Sequence, residues 1–261
     1  MRNMPTEGRD LSSGSHETFH GLDGRDSSRV GGRLRKVTQM SEIDTILFDF
    51  DGTVMNTNDV IIASWQHTFR TIDGKEHEVS EITRTFGEPI VITMKKKFPA
   101  VPVEESLQIY RDYQQDIFGD MVKLFPGMKE LIRELRVTGY KTALTTSRTK
   151  KTAYAALEKF ELTDLFDVVI TCDDTNAHKP DPEPVLITLD KLGSKPEKSV
   201  MLGDTMYDIM CARNAGVISI LVGWAVAPTK EEISGMDGPD FIMKRPEDLF
   251  RIIGDIERAG D

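Results

Sequence analysis

Residues 43–53 read Ile43-Asp44-Thr45-Ile46-Leu47-Phe48-Asp49-Phe50-Asp51-Gly52-Thr53, and their pattern indicates the class of fold. The first half of this stretch is an apolar run that ends in a carboxylate, as a buried parallel strand does at the functional edge of a sheet. Side chains two residues apart on extended backbone point the same way, so Asp49 and Asp51 are predicted to project together from that edge. Gly52 and Thr53 then turn the chain, and we expect their backbone N–H groups to be free to hold an anion.

Four more apolar runs have the character of buried strands. They cover residues 141–145, 167–171, 199–204 and 217–222. Amphipathic helical patterns separate them. Strands that alternate with helices of this length predict an α/β fold with a doubly wound parallel sheet.

One long segment interrupts this alternation. Residues 57–122 carry aromatic and aliphatic side chains at helical spacing, among them Ile61, Trp65 and Phe69, and no convincing strand. The segment is too long for a simple crossover, so we expect an insert of about four helices. The predicted organisation is therefore a core of residues 41–56 and 123–261 with a helical domain at 57–122.

Residues 1–40 form a segment rich in Gly and Ser with almost no apolar periodicity. Such a segment buries too little apolar surface to offset the entropy of ordering it, so we expect disorder. Structured sequence begins directly after Met40, which suggests the hypothesis that a shorter protein starts there.

Composition excludes several classes of function. The 261 residues carry a net charge of −10 with scattered Lys and Arg, so no basic surface for nucleic acid is expected. The sequence contains no run of about 18 apolar residues, so we expect no membrane span. Cys172 and Cys211 alone make neither a disulfide framework nor a zinc site, which indicates a reducing cytoplasm. Nothing in the sequence requires more than a monomer.

Groups suited to phosphate chemistry follow each of the next predicted strands. Hydroxyls follow the second strand, at Thr145 and Thr146, and an ammonium group, Lys179, lies in the loop after the third. The fourth strand ends in Gly203-Asp204, with Asp208 four residues later. The carboxyl ends of parallel strands meet at one sheet edge, so these groups are predicted to converge with Asp49.

These motifs resemble the haloacid dehalogenase superfamily, specifically its phosphatase branch. The residues that match its four motifs in order are Asp49, Asp51, Thr145, Lys179, Asp204 and Asp208. The resemblance covers roughly residues 43–256. Within the branch, residues 166–184 look most like the inorganic pyrophosphatase and phosphoglycolate phosphatase group.

The resemblance implies a role for each acid. Asp49 would be the nucleophile that forms an aspartyl phosphate, and Asp51 would protonate the leaving oxygen and then deprotonate water. Mg²⁺ would be held by the Asp49 carboxylate, the Asp51 backbone carbonyl and Asp204. Asp208 would orient a metal-bound water.

The resemblance also implies how a small phosphorylated substrate is bound. Thr145 and Lys179 would hold the transferring oxygens. Thr146, with Ser147 and Arg148, would either touch substrate or cap the helix that follows. The insert would be a helical cap whose loop 86–89 faces the site, with Glu88 either a specificity residue or part of a helix-breaking turn.

Two other readings remain open at this point. One is a sugar-phosphate enzyme similar to β-phosphoglucomutase, either mutase or phosphatase. The other is a non-enzymatic phosphoacceptor or binding protein, which Asp51 and the long insert oppose. The sequence does not identify the substrate, although pyrophosphate and 2-phosphoglycolate are the first expectations.

Overall fold

A computed structural model describes residues 42–259 of the protein. The predicted disorder of residues 1–40 and the hypothetical start at Met40 lie outside the described residues.

The strands and helices alternate along most of this chain. The strands are β1 (Thr45–Phe48), β2 (Met55–Asn56), β3 (Lys123–Leu124), β4 (Lys141–Thr145), β5 (Val168–Ile170), β6 (Ser199–Gly203), β7 (Ile218–Val222) and β8 (Phe241–Met243). The first five helices are α1 (Asn58–Asp73), α2 (Val79–Thr83), α3 (Ile90–Lys97), α4 (Val103–Met121) and α5 (Met128–Val137). The others are α6 (Lys150–Lys159), α7 (Glu183–Leu192), α8 (Met206–Asn214), α9 (Lys230–Ser234) and α10 (Asp248–Arg258).

Six strands form one parallel sheet in the order β5-β4-β1-β6-β7-β8. All five predicted strands are present, and β8 extends the sheet at one edge. β1 lies between β4 and β6, with Phe48 opposite Leu144 and Leu202. The chain winds outward from β1 first on one side and then on the other, so the end of β1 is a switch point where open sheets bind ligands.

Apolar side chains cover both faces of the sheet. Ile46 and Phe48 of β1 pack into one cluster with residues of α5 and α10, whereas Leu47 packs into another with α7 and α8. The alternation follows from the two-residue period of a strand. Helices on both faces of a parallel sheet confirm the predicted doubly wound α/β fold.

Four helices, α1 to α4, occupy the segment between the short antiparallel strands β2 and β3. They have their own apolar cluster, centred on Trp65 and Phe69 of α1, Met94 of α3 and Tyr110 of α4. The insert is therefore helical, as its spacing predicts. Within residues 42–259, no helix is long and apolar enough to cross a membrane.

Candidate active site

The carboxyl ends of the central strands carry the candidate residues. Asp49 and Asp51 follow β1, Thr145 ends β4 and Thr146 comes directly after it, and Asp204 follows β6. Lys179 reaches the same place from the loop before α7. The backbone N–H of Asp49 donates to Leu202 O at 2.9 Å, which extends the β1–β6 ladder to the first site residue.

Asp49 is a buried carboxylate held by a buried ammonium group. Lys179 Nζ donates to Asp49 Oδ1 at 2.6 Å, and both residues are less than a tenth exposed. Burial raises the pKa of Asp49 to about 7, although the positive charge of Lys179 lowers it in opposition. Lys179 therefore offsets much of the cost of placing this acid out of water.

Asp208 fixes Lys179 from the other side. Its Oδ1 accepts from Lys179 Nζ at 2.7 Å, and its Oδ2 accepts from the Thr205 hydroxyl at 2.7 Å. Asp208 Oδ2 also accepts from the Thr205 backbone N–H, which completes a capping box at the start of α8. Each oxygen of Asp208 thus has a structural partner in addition to its place in the acidic cluster.

Three acids lie close enough to share a cation. Carboxylate oxygens of Asp49, Asp204 and Asp208 lie within 4.8 Å of one another, and all three residues are buried. Burial, followed by the charges of Asp208 and Asp49, raises the pKa of Asp204 well above its usual value of 3.8. Clustered carboxylate oxygens are the ligands that a hard divalent cation prefers, so this donor set fits a metal ion.

Gly52 makes room for this cluster. Its φ of +76° is in the left-handed region, and a Cβ on it would lie 2.0 Å from Asp204 Oδ2. Asp204 therefore packs directly against bare backbone after β1, an approach that only glycine permits. Thr53 adds a hydroxyl 3.5 Å from Asp204 Oδ1.

The expectation that the Gly52 N–H is free is wrong. That N–H donates to Met55 O at 2.8 Å, because the turn after Asp51 is closed by its own backbone hydrogen bonds. Gly52 contributes space to the site rather than an anion-binding donor. Its carbonyl accepts from Trp224 Nε1 at 3.0 Å, so a residue beyond β7 supports the turn.

The side chain of Asp51 is bound by Arg148. Arg148 Nε donates to Asp51 Oδ2 at 2.7 Å, and Arg148 Nη2 donates to Asp51 Oδ1 at 3.0 Å. This bidentate pair is mostly buried, with 14% of the Arg148 side chain and 28% of the Asp51 side chain exposed. The Asp51 side chain is thus engaged by Arg148, and the role of its backbone carbonyl as a metal ligand stays a prediction.

Thr145 contacts a buried hydroxyl of α7, that of Thr188. The Thr188 hydroxyl gives its proton to Pro184 O at 2.7 Å, so at 2.9 Å it accepts the proton of Thr145. The Thr145 hydroxyl is therefore engaged with Thr188 in this structure, and its predicted contact with the transferring oxygens stays a prediction. Thr146 accepts from the Arg148 backbone N–H at 3.2 Å, which leaves its own proton available.

The loop of the insert that carries Gly87 lies against the end of the β6 loop and the start of α8. A Cβ on Gly87 would lie 2.7 Å from Tyr207 Cδ2 and 2.8 Å from Thr205 Oγ1. Glu88 itself turns toward its own domain, where Lys96 pairs with it and the Thr93 hydroxyl donates to it at 2.7 Å. These partners lower the pKa of Glu88 against the opposing effect of burial.

The sequence indicates Arg148 only as a residue that either touches substrate or caps a helix, and it indicates no role for Trp224. Arg148 follows Thr146 in a loop where three hydroxyl residues draw attention to helix capping, and its partner Asp51 lies 97 residues away in sequence. No local pattern signals such a contact. Trp224 is a single aromatic residue shortly after β7, and it belongs to no recognisable motif.

Comparison with known proteins decides the family. Residues 46–222 match the model of the haloacid dehalogenase-like hydrolases, which is more than half of the chain. The chain belongs to this family. It is a hydrolase of the phosphatase type, as its motifs predict.

Individual relatives agree with this membership. The chain is 35% identical over 213 residues to the pyrophosphatase PpaX of Halalkalibacterium halodurans, covering 82% of this chain and 98% of that protein. A haloacid dehalogenase-like hydrolase from Streptococcus pneumoniae has the same fold, with a TM-score of 0.71 at 23% identity over 81% and 98% of the two chains. A predicted phosphoglycolate phosphatase from Haemophilus somnus also has this fold, with a TM-score of 0.69 at 21% identity. The match covers 82% of this chain and 99% of that one.

Proposed function

We propose that this hydrolase is an Mg²⁺-dependent phosphatase that works through an aspartyl phosphate on Asp49. The observation that carries the proposal is the buried Asp49 carboxylate, held by Lys179 and within metal-sharing distance of Asp204 and Asp208. A nucleophile in that position splits one difficult hydrolysis into two easier steps.

Asp49, Asp204 and the Asp51 backbone carbonyl are the residues that would hold Mg²⁺, with Asp208 beside them. Bound there, the ion would neutralise charge on the substrate and so offset repulsion from the acids. Lys179 and the Thr146 hydroxyl are the donors that bind the transferring oxygens.

The reaction has two balanced steps. An oxygen of Asp49 forms a bond to phosphorus while the bond from phosphorus to the leaving oxygen breaks, and Asp51 gives that oxygen a proton. Water then attacks the phosphorus of the aspartyl phosphate, its proton passes to Asp51, and Asp49 is regenerated with release of phosphate. One water is consumed, and both acids return to their starting states.

We further propose that residues 57–122 act as a cap domain over this site. The contact of Gly87 with Thr205 and Tyr207 supports this role, because it brings the cap to the loop that carries Asp204. A cap in this position excludes water during phosphoryl transfer and supplies contacts to the leaving group.

Pyrophosphate is the substrate that the relatives favour, with 2-phosphoglycolate next. Similarity to PpaX over nearly its whole length supports the first, and the fold of the Haemophilus protein suggests the second. Both are small and carry a second anionic group beyond the transferring phosphoryl group.

Phosphate release by the purified protein tests this proposal. The substrates are pyrophosphate, 2-phosphoglycolate, several sugar phosphates and an aryl phosphate, each with Mg²⁺ and with EDTA. We expect Mg²⁺-dependent release, greatest from pyrophosphate, and none from the Asp49→Asn variant. Release from none of these substrates by folded protein, or equal release in EDTA, contradicts the proposal.

A further inference from the structure

The guanidinium group of Arg148 lies between the core and the insert. On one side it holds both oxygens of Asp51. On the other side its central carbon lies 5.0 Å from the ring centre of Phe118, near the end of α4. Arg148 therefore contacts both the candidate general acid and a cap helix.

The face of α4 toward Arg148 is built from residues four positions apart. Tyr110, Gln114 and Phe118 lie on one stripe of the helix, and Gln114 Nε2 donates to the Tyr110 hydroxyl at 3.1 Å. The contact of Phe118 with Arg148 places this stripe beside the Asp51–Arg148 pair. Burial raises the pKa of Tyr110, and the charge of Asp51 acts in the same direction. Arg148 thus lies between Asp51 and α4, on the side of the proposed cap.

Lys179 and Arg148 serve different parts of the site. Lys179 already donates to Asp49 and Asp208, so its position is fixed on the side of the transferring phosphoryl group. Arg148 has one carboxylate partner, held in a fork. A planar guanidinium binds carboxylate and phosphate groups with the same two-pronged geometry, so an anionic ligand is an equivalent partner for it.

We propose that Arg148 is a specificity-determining residue that exchanges Asp51 for the anionic group on the leaving half of the substrate. That group would be the second phosphate of pyrophosphate or the carboxylate of phosphoglycolate. The exchange rests on the proposed phosphatase function and adds a selection rule to it. A substrate with a neutral leaving half leaves Asp51 paired to Arg148, and its turnover is slow because Asp51 then faces the guanidinium.

A matched pair of substrates tests this rule. 2-Phosphoglycolate and 2-hydroxyethyl phosphate differ in a carboxylate against a hydroxymethyl group, so the ratio of their kcat/KM values isolates the anionic group. We expect the wild-type protein to favour phosphoglycolate by at least about tenfold, the scale of one charge-assisted pair. Arg148→Met should bring the ratio close to one, and Arg148→Lys should give an intermediate value.

Lys159→Met is the matched control. Lys159 Nζ donates to Gly119 O at 2.8 Å, so this cation also contacts the end of α4, but through a backbone carbonyl rather than through Asp51. We expect Lys159→Met to keep the wild-type ratio. If it lowers the ratio as far as Arg148→Met does, the effect comes from loosening α4, and the proposal is overturned.

Other outcomes also decide the proposal. An unchanged ratio in a folded Arg148→Met, with equal loss on both substrates, overturns it. If Arg148→Met does not fold, the wild-type ratio and Arg148→Lys decide, and a wild-type ratio near one overturns the rule. These failures are distinct from failure of the proposed function, in which the wild-type protein releases phosphate from neither substrate nor from pyrophosphate.

Discussion

Lys179 Nζ lies 2.6 Å from Asp49 Oδ1, in a place where both side chains are almost completely buried. The same ammonium group contacts Asp208, so one cation stabilises two buried acids. Removing one partner of a buried ion pair is strongly destabilising, because an uncompensated charge stays behind.

Lys179→Met is therefore expected to lower the free energy of unfolding by about 3–5 kcal/mol at neutral pH. Chemical denaturation followed by circular dichroism measures this. Lys151→Met, at an exposed position of α6, is the control and should stay within about 0.5 kcal/mol of wild type. If Lys179→Met changes the free energy of unfolding no more than Lys151→Met does, the stability of the buried acids does not depend on Lys179.

Gly52→Ala tests the packing of Asp204 against the turn after β1. A methyl group there would lie 2.0 Å from Asp204 Oδ2, so Asp204 must move. We expect a loss of roughly 1–3 kcal/mol of stability and a weaker rise of Tm on adding Mg²⁺, measured by thermal unfolding.

Gly74→Ala provides the control for the backbone penalty alone. Gly74 has a similar φ of +78°, and a Cβ on it would meet nothing within 4 Å. Its Mg²⁺-dependent Tm shift should equal that of wild type. A full Mg²⁺ shift in folded Gly52→Ala would place the metal away from Asp204.

Thr145 and Thr146 are expected to have separable roles. Thr146→Val should lower kcat/KM about tenfold or more, because it removes a free donor to the transferring oxygens. Thr145→Val should cost about 1 kcal/mol of stability through the lost bond to Thr188, with little effect on kcat/KM. Steady-state kinetics of both variants, with denaturation curves, give the answer, and the opposite assignment would restore Thr145 as the substrate donor.

His77 makes the stability of the insert dependent on pH. The hydrogen bonds that the His77 ring donates to Asp73 and Glu81, at 2.9 and 3.0 Å, raise the pKa of His77 above its usual value of 6.5. A pKa raised by folding gives stability that is complete below about pH 6.5 and is lost as pH rises through the folded value. Tm should therefore fall across that range.

His77→Gln should reduce this fall, as thermal unfolding at several pH values will show. His67→Gln is the control, since His67 stacks on Tyr113 and no ion pair with a carboxylate is found for it in the part of the chain that the structure describes. An unchanged pH profile in His77→Gln would assign the effect to other groups.

The sequence predicts the sheet well because its central strands are continuous apolar runs that end in functional residues. β8 escapes prediction because its three residues, Phe241–Met243, are too few for a period to be visible. The bounds of α1 to α4 likewise depend on packing around Trp65 rather than on local signals.

The site is predictable only in part, because side-chain direction depends on contacts that are distant in sequence. Thr145 and Thr146 are the same residue type, so the sequence does not distinguish them. Neighbouring side chains at the end of a strand point in opposite directions, and it is the Thr145 hydroxyl that contacts Thr188. The bidentate contact of Arg148 with Asp51 joins residues of two different motifs, so neither motif predicts it by itself. The N–H of Gly52, predicted to be free, donates to the carbonyl of Met55 in the turn that follows.

Phosphorylation of Asp49 during turnover is the step on which the proposed mechanism depends. The most direct measurement is acid-quenched peptide mass spectrometry of the Asp51→Asn variant after incubation with pyrophosphate and Mg²⁺, with Asp49→Asn treated alike. We expect one phosphoryl group on the peptide containing Asp49 in the Asp51→Asn variant. The Asp49→Asn variant should show neither a phosphoryl group nor turnover. Near-normal phosphate release by Asp49→Asn would contradict the proposed mechanism.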